Sequence, residues 1–352
     1  MTDDSSFTVD FTSPGLGVEG SDSYSVLRAE LDPWLASKAE DAGADYITGI
    51  PVDELLTDGA RVTGVRAGDD ELTADVVILC DGVNSLLIEQ AGLGATPSPH
   101  QVAVGVRQTF ELPARVIEDR FHLAEGEGAA WLFVGAPTGG RVGGGFLYTN
   151  KDTVSVGLVA TVSDLTRSRT PLTQLTEDFL RHPVLGPVLR DAKPVEYSAH
   201  LVPEGGMDSM PRLAGDGVLV AGDAAMMCLN LGYSVRGMDL AIAAGRIAGE
   251  QAARALDAGD TSAVGLAGYE AALRDSFVLK DMSAMRAFPH FMESTPRIFS
   301  AYPAMVRDIC LSTFVVDGTP VEPLRRRVMR PVKQAGGLWA LAKDGLRGMR
   351  AL

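Results

Sequence analysis

The chain has 352 residues, 46% apolar and 22% charged, which fits an ordinary globular protein and excludes disordered, coiled-coil or collagen-like readings despite 39 glycines. That length gives a prior of about two domains. With 31 basic against 46 acidic side chains the net charge is −15, the wrong sign for displacing counterions from a duplex, so a nucleic-acid partner is disfavoured.

Residues 1–20 read as irregular. Leu27, Leu31, Trp34, Leu35 and Ala39 then recur at helical spacing and predict a helix over 25–43, with Gly43 as its C-cap. A strand is expected at 45–48. Residues 52–56, 62–66 and 71–74 predict a small meander, with turns at Asp58-Gly59 and Gly68-Asp69-Asp70. Val76-Val77-Ile78-Leu79-Cys80 is an apolar, β-branched run, the pattern of a strand buried on both faces as in a parallel sheet. From about 100 to 200 the texture changes to short strands (102–110, 130–136, 142–147, 154–160) punctuated by Gly and Asn, with one helix at 171–182. A buried strand returns at 217–221. An Ala-rich helix over 238–256 follows, then another helix over 262–287 and a Pro-punctuated helical region. The expected fold class is α/β (α+β overall). Its expected parts are a Rossmann-like domain over 1–98 that resumes at 206–260, an inserted antiparallel-sheet substrate or partner domain at 99–205, and a helical C-terminal region at 261–352. In that layout the reacting centre falls at a domain boundary.

Cys80, Cys228 and Cys310 stand far apart with no CxxC pair, and His100, His122, His182, His200 and His290 are equally scattered. The sequence therefore supports neither a disulfide framework nor a zinc or iron–sulfur site of the usual spacing, and no metal is expected. No apolar run approaches the roughly 18 residues of a membrane span. Residues 1–6 are polar and acidic, unlike a signal peptide, so a reducing cytoplasm is the expected compartment. The last 32 residues differ from the rest: eight basic side chains (Arg325, Arg326, Arg327, Arg330, Lys333, Lys343, Arg347, Arg350) face only Glu322 and Asp344. With Leu338, Trp339, Leu341, Leu346 and Met349, this is either a basic amphipathic segment for an anionic membrane surface or acidic partner, or a packed helix with solvated arginines.

Gly15-Leu16-Gly17-Val18-Glu19-Gly20 satisfies G-x-G-x-x-G but reads as a loop. A dinucleotide fingerprint needs a buried strand before it and a helix opening on it, so that the helix N-terminus meets the pyrophosphate. The preceding stretch ends in Ser13-Pro14, and the helix starts only near Ser25. Gly139-Gly140 and Gly143-Gly144-Gly145 likewise read as a hairpin turn and a close strand contact.

The informative motif is Gly217-Val218-Leu219-Val220-Ala221-Gly222-Asp223-Ala224-Ala225, followed by Asn230-Leu231-Gly232 and Arg236-Gly237-Met238-Asp239. A buried strand ending in Gly-Asp puts a carboxylate at the carboxyl end of a parallel sheet, where ligands sit in open α/β folds. That acceptor can hold a sugar-alcohol hydroxyl, and the glycines after it let backbone approach a flat ring. The helix opening at Met238 turns its N–H groups and positive dipole end toward an anion, such as the negative charge near N1 and O2 of a reduced flavin. The plain alternative is a strand–turn–helix with an Asp in the turn. Two further segments fit the same site: Arg28 early in its helix, and Asp81-Gly82-Val83-Asn84-Ser85 after the 76–80 strand. Taken alone, these read as a surface arginine with Asp32 as its i,i+4 partner and as an ordinary β-turn.

Together these residues resemble the FAD-dependent group of p-hydroxybenzoate hydroxylase-like enzymes and geranylgeranyl reductases. More narrowly, Tyr24-Ser25-Val26-Leu27-Arg28, Asp81-Gly82-Val83-Asn84-Ser85, residues 116–121, 143–150 and 195–200, and residues 236–245 resemble FixC. These are the electron-transfer flavoprotein:quinone oxidoreductases of the nitrogen-fixation Fix system and their carnitine-linked relatives. The resemblance runs from about Tyr24 to the C-terminus. It implies noncovalent FAD, with Asp223 beside Gly222 on the ribityl chain and the backbone from Gly232 through Gly237 to Met238 near the ring. Arg28 and the Asp81-Gly82 turn are expected close to the cofactor. It implies electrons arriving from an electron-transfer flavoprotein and leaving to quinone, with a separate ferredoxin-like protein assisting. The absent cysteine cluster agrees with that division, because larger quinone oxidoreductases carry their own iron–sulfur cluster. Outer-sphere electron transfer needs no side-chain acid, base or nucleophile, so no catalytic residue is expected.

The family opens with a strand, the glycine fingerprint, a helix and an acidic residue for the adenosine ribose. None is found here, so the expectation is an FAD domain lacking its first βαβ unit, from a truncated gene model or natural fragment. Two other readings stay open: a prenyl-lipid reductase or flavin hydroxylase on the same scaffold, and a cofactor-free subunit that docks partners or the inner membrane face through its basic tail.

Overall fold

A computed structural model describes residues 1–11, 13, 24–232 and 234–352 of the chain. Helix α1 (Arg28–Asp41) forms at the expected periodicity, and Gly43 follows its last turn, donating to the Glu40 carbonyl. It begins three residues later than expected, because the Ser25 hydroxyl is held by the Thr149 carbonyl at 2.6 Å. None of its residues is buried, and Trp34 is 55% exposed. Residues 45–48 form no strand: Tyr46 and Ile47 are exposed, and a strand without a hydrogen-bonded neighbour leaves its backbone groups to water.

Strands β1 (Glu54–Asp58), β2 (Arg61–Ala67) and β3 (Asp70–Thr73) make the expected antiparallel meander. The apolar run at 76–80 yields only β4 (Val77–Leu79), half-buried at its first two residues, with Cys80 exposed. It lies at the end of its sheet and meets one neighbouring strand, so it is not enclosed as its sequence predicts.

Strands β5 (Val102–Glu111), β6 (Ala130–Phe133), β7 (Gly143–Thr149), β8 (Thr153–Thr161) and β9 (Lys193–Pro203) form one antiparallel sheet in the order β6-β7-β8-β5-β9. The close strand contact read from the glycines is real at Gly143, where a Cβ would lie 2.0 Å from the Val159 carbonyl oxygen. Helices α2 (Ala114–Phe121), α3 (Val162–Arg167), α4 (Leu172–Leu180) and α5 (Leu185–Val188) accompany it. The core of this unit sets Leu147, Val156 and Leu158, all fully buried, against Ile117, Leu175 and Phe179.

The chain then returns through β10 (Ala214–Gly215) and β11 (Val218–Val220). β11 pairs parallel with β4 in the register Val77↔Val218, Ile78↔Leu219 and Leu79↔Val220. β12 (Leu229–Asn230) and β13 (Val235–Arg236) form a small ribbon that leads into α6 (Met238–Ala258). α6 buries Leu240, Ala244, Ile247, Ala248, Ala252 and Ala255, one helical stripe of mostly small side chains, in the same core as Leu219 and Val220. Tyr269 is fully buried there and donates its hydroxyl to the Val220 carbonyl at 3.0 Å.

The single helix expected over 262–287 is two, α7 (Gly268–Asp275) and α8 (Phe277–Ala284). Ser276 separates them: its backbone is extended and its hydroxyl caps α8 by accepting from the Val278 N–H at 3.1 Å. Apolar spacing continues across the break, so periodicity does not reveal it. Helices α9 (Phe288–Glu293), α10 (Ala301–Phe314), α11 (Leu324–Gln334) and α12 (Gly337–Ala351) complete the helical C-terminal region. The basic tail is anchored on one side. Asp344, buried on α12, accepts two bonds from the Arg297 guanidinium at 2.8 and 2.9 Å and one from the Tyr302 hydroxyl at 2.5 Å. Its other side leaves Trp339 75% exposed beside Lys343, with Arg325, Arg326 and Lys333 in solvent. Among the described residues, no helix is long and apolar enough to cross a membrane, and no cluster of three metal-ligating side chains occurs.

Candidate functional site

Parallel pairing of β4 with β11 makes their carboxyl ends emerge side by side, and the Ala221 N–H donates to the Leu79 carbonyl at 3.0 Å. Asp81-Gly82 therefore follows one strand next to Gly222-Asp223 following the other, although 140 residues separate them. Ser85 ties the two turns together. Its buried hydroxyl contacts the Gly82 carbonyl at 3.0 Å and the Ala224 carbonyl at 3.1 Å. Asp81 is exposed and turned to its own loop, accepting from the Leu87 N–H at 3.4 Å.

After β11 the chain makes one 3₁₀ turn, Gly222–Ala225. Gly222 needs to be glycine on two counts: its φ is +66°, and a Cβ there would sit 3.3 Å from the Ala241 Cβ of α6. That contact fixes the start of α6 against the turn. Gly237 immediately precedes the helix, and a Cβ there would come 4.0 Å from Asp223 Oδ1 and 3.9 Å from Cys228 Sγ. Met238 opens the helix and is 39% exposed. The Gly232 N–H is held by Asn230 Oδ1 at 3.0 Å, while the space where its Cβ would stand is empty.

Asp223 is half-buried, and its carboxylate accepts no hydrogen bond among the described residues. Burial raises its pKa, and the Arg28 charge partly offsets this. Arg28 itself makes a two-pronged ion pair with Asp32, at 2.5 and 2.7 Å, and feels Asp223 in addition. The i,i+4 pair expected of Arg28 taken alone exists, and Arg28 also stands within the field of Asp223.

The fold thus brings Arg28, Gly222, Asp223, Gly237 and Met238 together, sets Asp81-Gly82 alongside through Ser85, and leaves Gly232 on the adjoining loop. A half-buried carboxylate with no hydrogen-bond donor among the described residues, facing glycine backbone and a helix N-terminus, fits the hydroxyl-bearing chain and flat ring of a flavin. For the pyrophosphate half, no strand–glycine turn–helix unit occurs among the described residues, and the rejected glycine motif at 15–20 lies outside them. Sequence reasoning missed Glu204 and Cys228. Glu204 accepts from Asn230 Nδ2 at 3.2 and 3.4 Å, and burial raises the Cys228 thiol well above its usual range. Neither carries a local signal, because each is defined only by what tertiary folding places against it.

The fold and site define an FAD-dependent oxidoreductase: residues 19–251 match the family described as FAD dependent oxidoreductase, and residues 288–352 match the ETF-QO/FixC family C-terminal domain. The chain is 48% identical to the probable electron transfer flavoprotein-quinone oxidoreductase YdiS of Escherichia coli (strain K12), over 100% of this chain and 82% of that protein. It is 47% identical to protein FixC of Salmonella typhi over the same shares. The chain belongs to the FixC family of electron transfer flavoprotein-quinone oxidoreductases. Among solved structures, a geranylgeranyl bacteriochlorophyll reductase-like protein from Thermoplasma acidophilum shares the fold, with a TM-score of 0.60 at 18% identity over 90% of this chain and 75% of that one.

Proposed function

We propose that the chain holds FAD noncovalently and passes electrons from an electron-transfer flavoprotein to a quinone. The observation that carries this reading is the Asp223 carboxylate. It is half-buried where two parallel strands end, accepts no hydrogen bond among the described residues, and is faced by Gly237 at the start of α6. Bound there, the flavin supplies the redox chemistry, accepting and releasing electrons without help from a side-chain nucleophile. Asp223 and Gly222 hold the ribityl chain. The backbone at Gly232, Gly237 and Met238 would receive the ring, and the first N–H groups of the helix from Met238 would favour negative charge on it. Arg28 and the Asp81-Gly82 turn close the near side and exclude water.

In this reading the cofactor domain comprises 1–98 and 206–260, the sheet at 99–205 receives substrate or partner, and the region from 261 carries the basic tail. Quinones are membrane lipids, so the exposed side of α11 and α12, with Trp339, Lys343, Arg325 and Arg326, rests peripherally on the anionic inner membrane face. A ferredoxin-like protein assists the transfer. The test is purification followed by visible absorbance. Flavin is expected to copurify and to be largely lost in Asp223→Ala; undiminished flavin in that variant would remove Asp223 from the site.

A further inference from the structure

A cavity of about 210 Å³ lies at the seam between the antiparallel sheet and the C-terminal helices, away from Asp223. At roughly 30 Å³ per molecule it has room for several waters. His100, Glu204 and Glu293 line it. Glu204 follows the last residue of β9, its backbone N–H held by the Gln101 carbonyl at 2.8 Å. Its carboxylate accepts from Asn230 Nδ2, and Asn230 in turn fixes the Gly232 N–H. Glu204 therefore stands one side chain away from the loop assigned above to the ring.

We infer that Glu204 is a proton-relay residue, carrying protons from cavity water to the quinone-class acceptor reduced beside the Asn230–Gly232 loop. This rests on the function proposed above. Reduction of such an acceptor takes two electrons, delivered through the flavin from the electron-transfer flavoprotein, and two protons. Glu204 releases one: its O–H bond breaks, an acceptor O–H bond forms by way of water, and the carboxylate regains a proton from the cavity. The second proton comes from bulk solvent.

The surroundings of Glu204 suit that cycle. Burial raises its carboxyl to about 7, the Asn230 hydrogen bond acts in the opposite sense, and Glu293 adds to the rise. Such a group can both give and take a proton near neutrality. His100 Nδ1 stands 3.8 Å from Glu293 Oε1 at the same cavity. Arg286 there is paired with Asp208 at 2.5 Å, so its charge is already answered. Among the described residues, His290 from α9 and Cys228 from the loop before β12 are the other titratable groups near Glu204.

The test is Glu204→Gln, which keeps an acceptor for Asn230 but cannot ionise. The first readout needs no cofactor: the thermal midpoint of each protein against pH. A carboxyl raised in the folded state favours folding while protonated, so wild type should lose stability relative to the variant as pH rises from about 4.5 to about 7. Parallel curves would overturn the inference, because Glu204 would then titrate in the ordinary range. The second readout compares acceptors in the flavin-loaded protein. Reduction of a soluble quinone should slow at least tenfold in Glu204→Gln, while reduction of ferricyanide, which takes electrons without protons, should be unchanged. Equal rates with quinone would overturn the relay. Loss of flavin or of ferricyanide reduction in wild type would instead defeat the parent reading, and the stability curves would still judge Glu204.

Discussion

The two sheets that frame the site are built on opposite principles. The antiparallel sheet of β5–β9 is assembled from one continuous stretch, 102–203, with the nine-residue β8 at its centre and a core of its own. The parallel pair of β4 and β11 has three residues per strand, brought together from 140 residues apart. Yet the short pair carries Asp81-Gly82 and Gly222-Asp223. Both sheets need distant pairing, since β5 meets β8 at Ala103↔Thr161 and β9 at Val102↔Pro203, but the large sheet closes within one stretch of chain over its own core, whereas the short pair is joined only across that whole stretch. The proposed site lies where the pairing depends most on the surrounding core.

That contrast can be broken most forcefully in the two cores. Leu219→Ala and Leu158→Ala each remove a fully buried side chain and should each cost about 2–5 kcal/mol. In denaturant titrations both should unfold early. Only Leu219→Ala should also weaken flavin retention in the protein that remains folded; equal loss in both would erase the division of labour.

Next in size is Asp223→Ala. Losing a charged acceptor for a ligand hydroxyl is worth about 1.5–3 kcal/mol, so flavin affinity in an absorbance titration should fall about 10–100-fold. The thermal midpoint of the flavin-free protein should hold or rise, because burial of the carboxylate outweighs the attraction of the Arg28 charge.

The tail provides a third test, away from both sheets. Burial opposes ionisation of Asp344, but Tyr302 and Arg297 outweigh it and hold the carboxyl below its usual 3.8. A depressed carboxyl stabilises the fold above its unfolded value and loses that contribution as pH falls below it. Asp344→Asn should therefore lower the midpoint by a few degrees at pH 7, and the gap should close as pH drops below about 4. A constant gap would show that packing, not the ion pair, anchors α12.

The smallest effect is expected at Ser85, the single side chain bonding both site turns. Ser85→Ala should cost about 1 kcal/mol. Amide exchange should quicken at 81–87 and 222–226 while β5 and β8 stay protected; uniform protection would mean that the turns are held by backbone pairing alone.

Much of this was legible in the chain. Alternation and turn chemistry marked the meander and the strands β5 to β8, because period-2 burial and Gly-Asp turns are local properties, but β9 (Lys193–Pro203) went unread: its residues are mostly exposed, so no alternation of burial marks it. The apolar run ending in Gly222-Asp223, followed by an Ala-rich stripe, announced strand, turn and packed helix with the carboxylate between them. The break at Ser276 was not legible, since a one-residue change of backbone leaves helical spacing intact on both sides. Nor was the fate of residues 45–48 or of the open face of α1, because apolar pattern states what a segment can bury and not whether a neighbour is there to cover it.

By itself, then, the sequence determined most of the local elements, the strand-to-turn step at Gly222-Asp223 and the chain's family, all written in contiguous residues. Only the tertiary structure decided that Ser85 reaches Ala224, that Arg28 lies in the field of Asp223, and that Glu204 stands between a cavity with room for several waters and Asn230. Each of these depends on distances between residues remote in the chain, and such distances are set by packing of the whole core rather than by any segment's own preference.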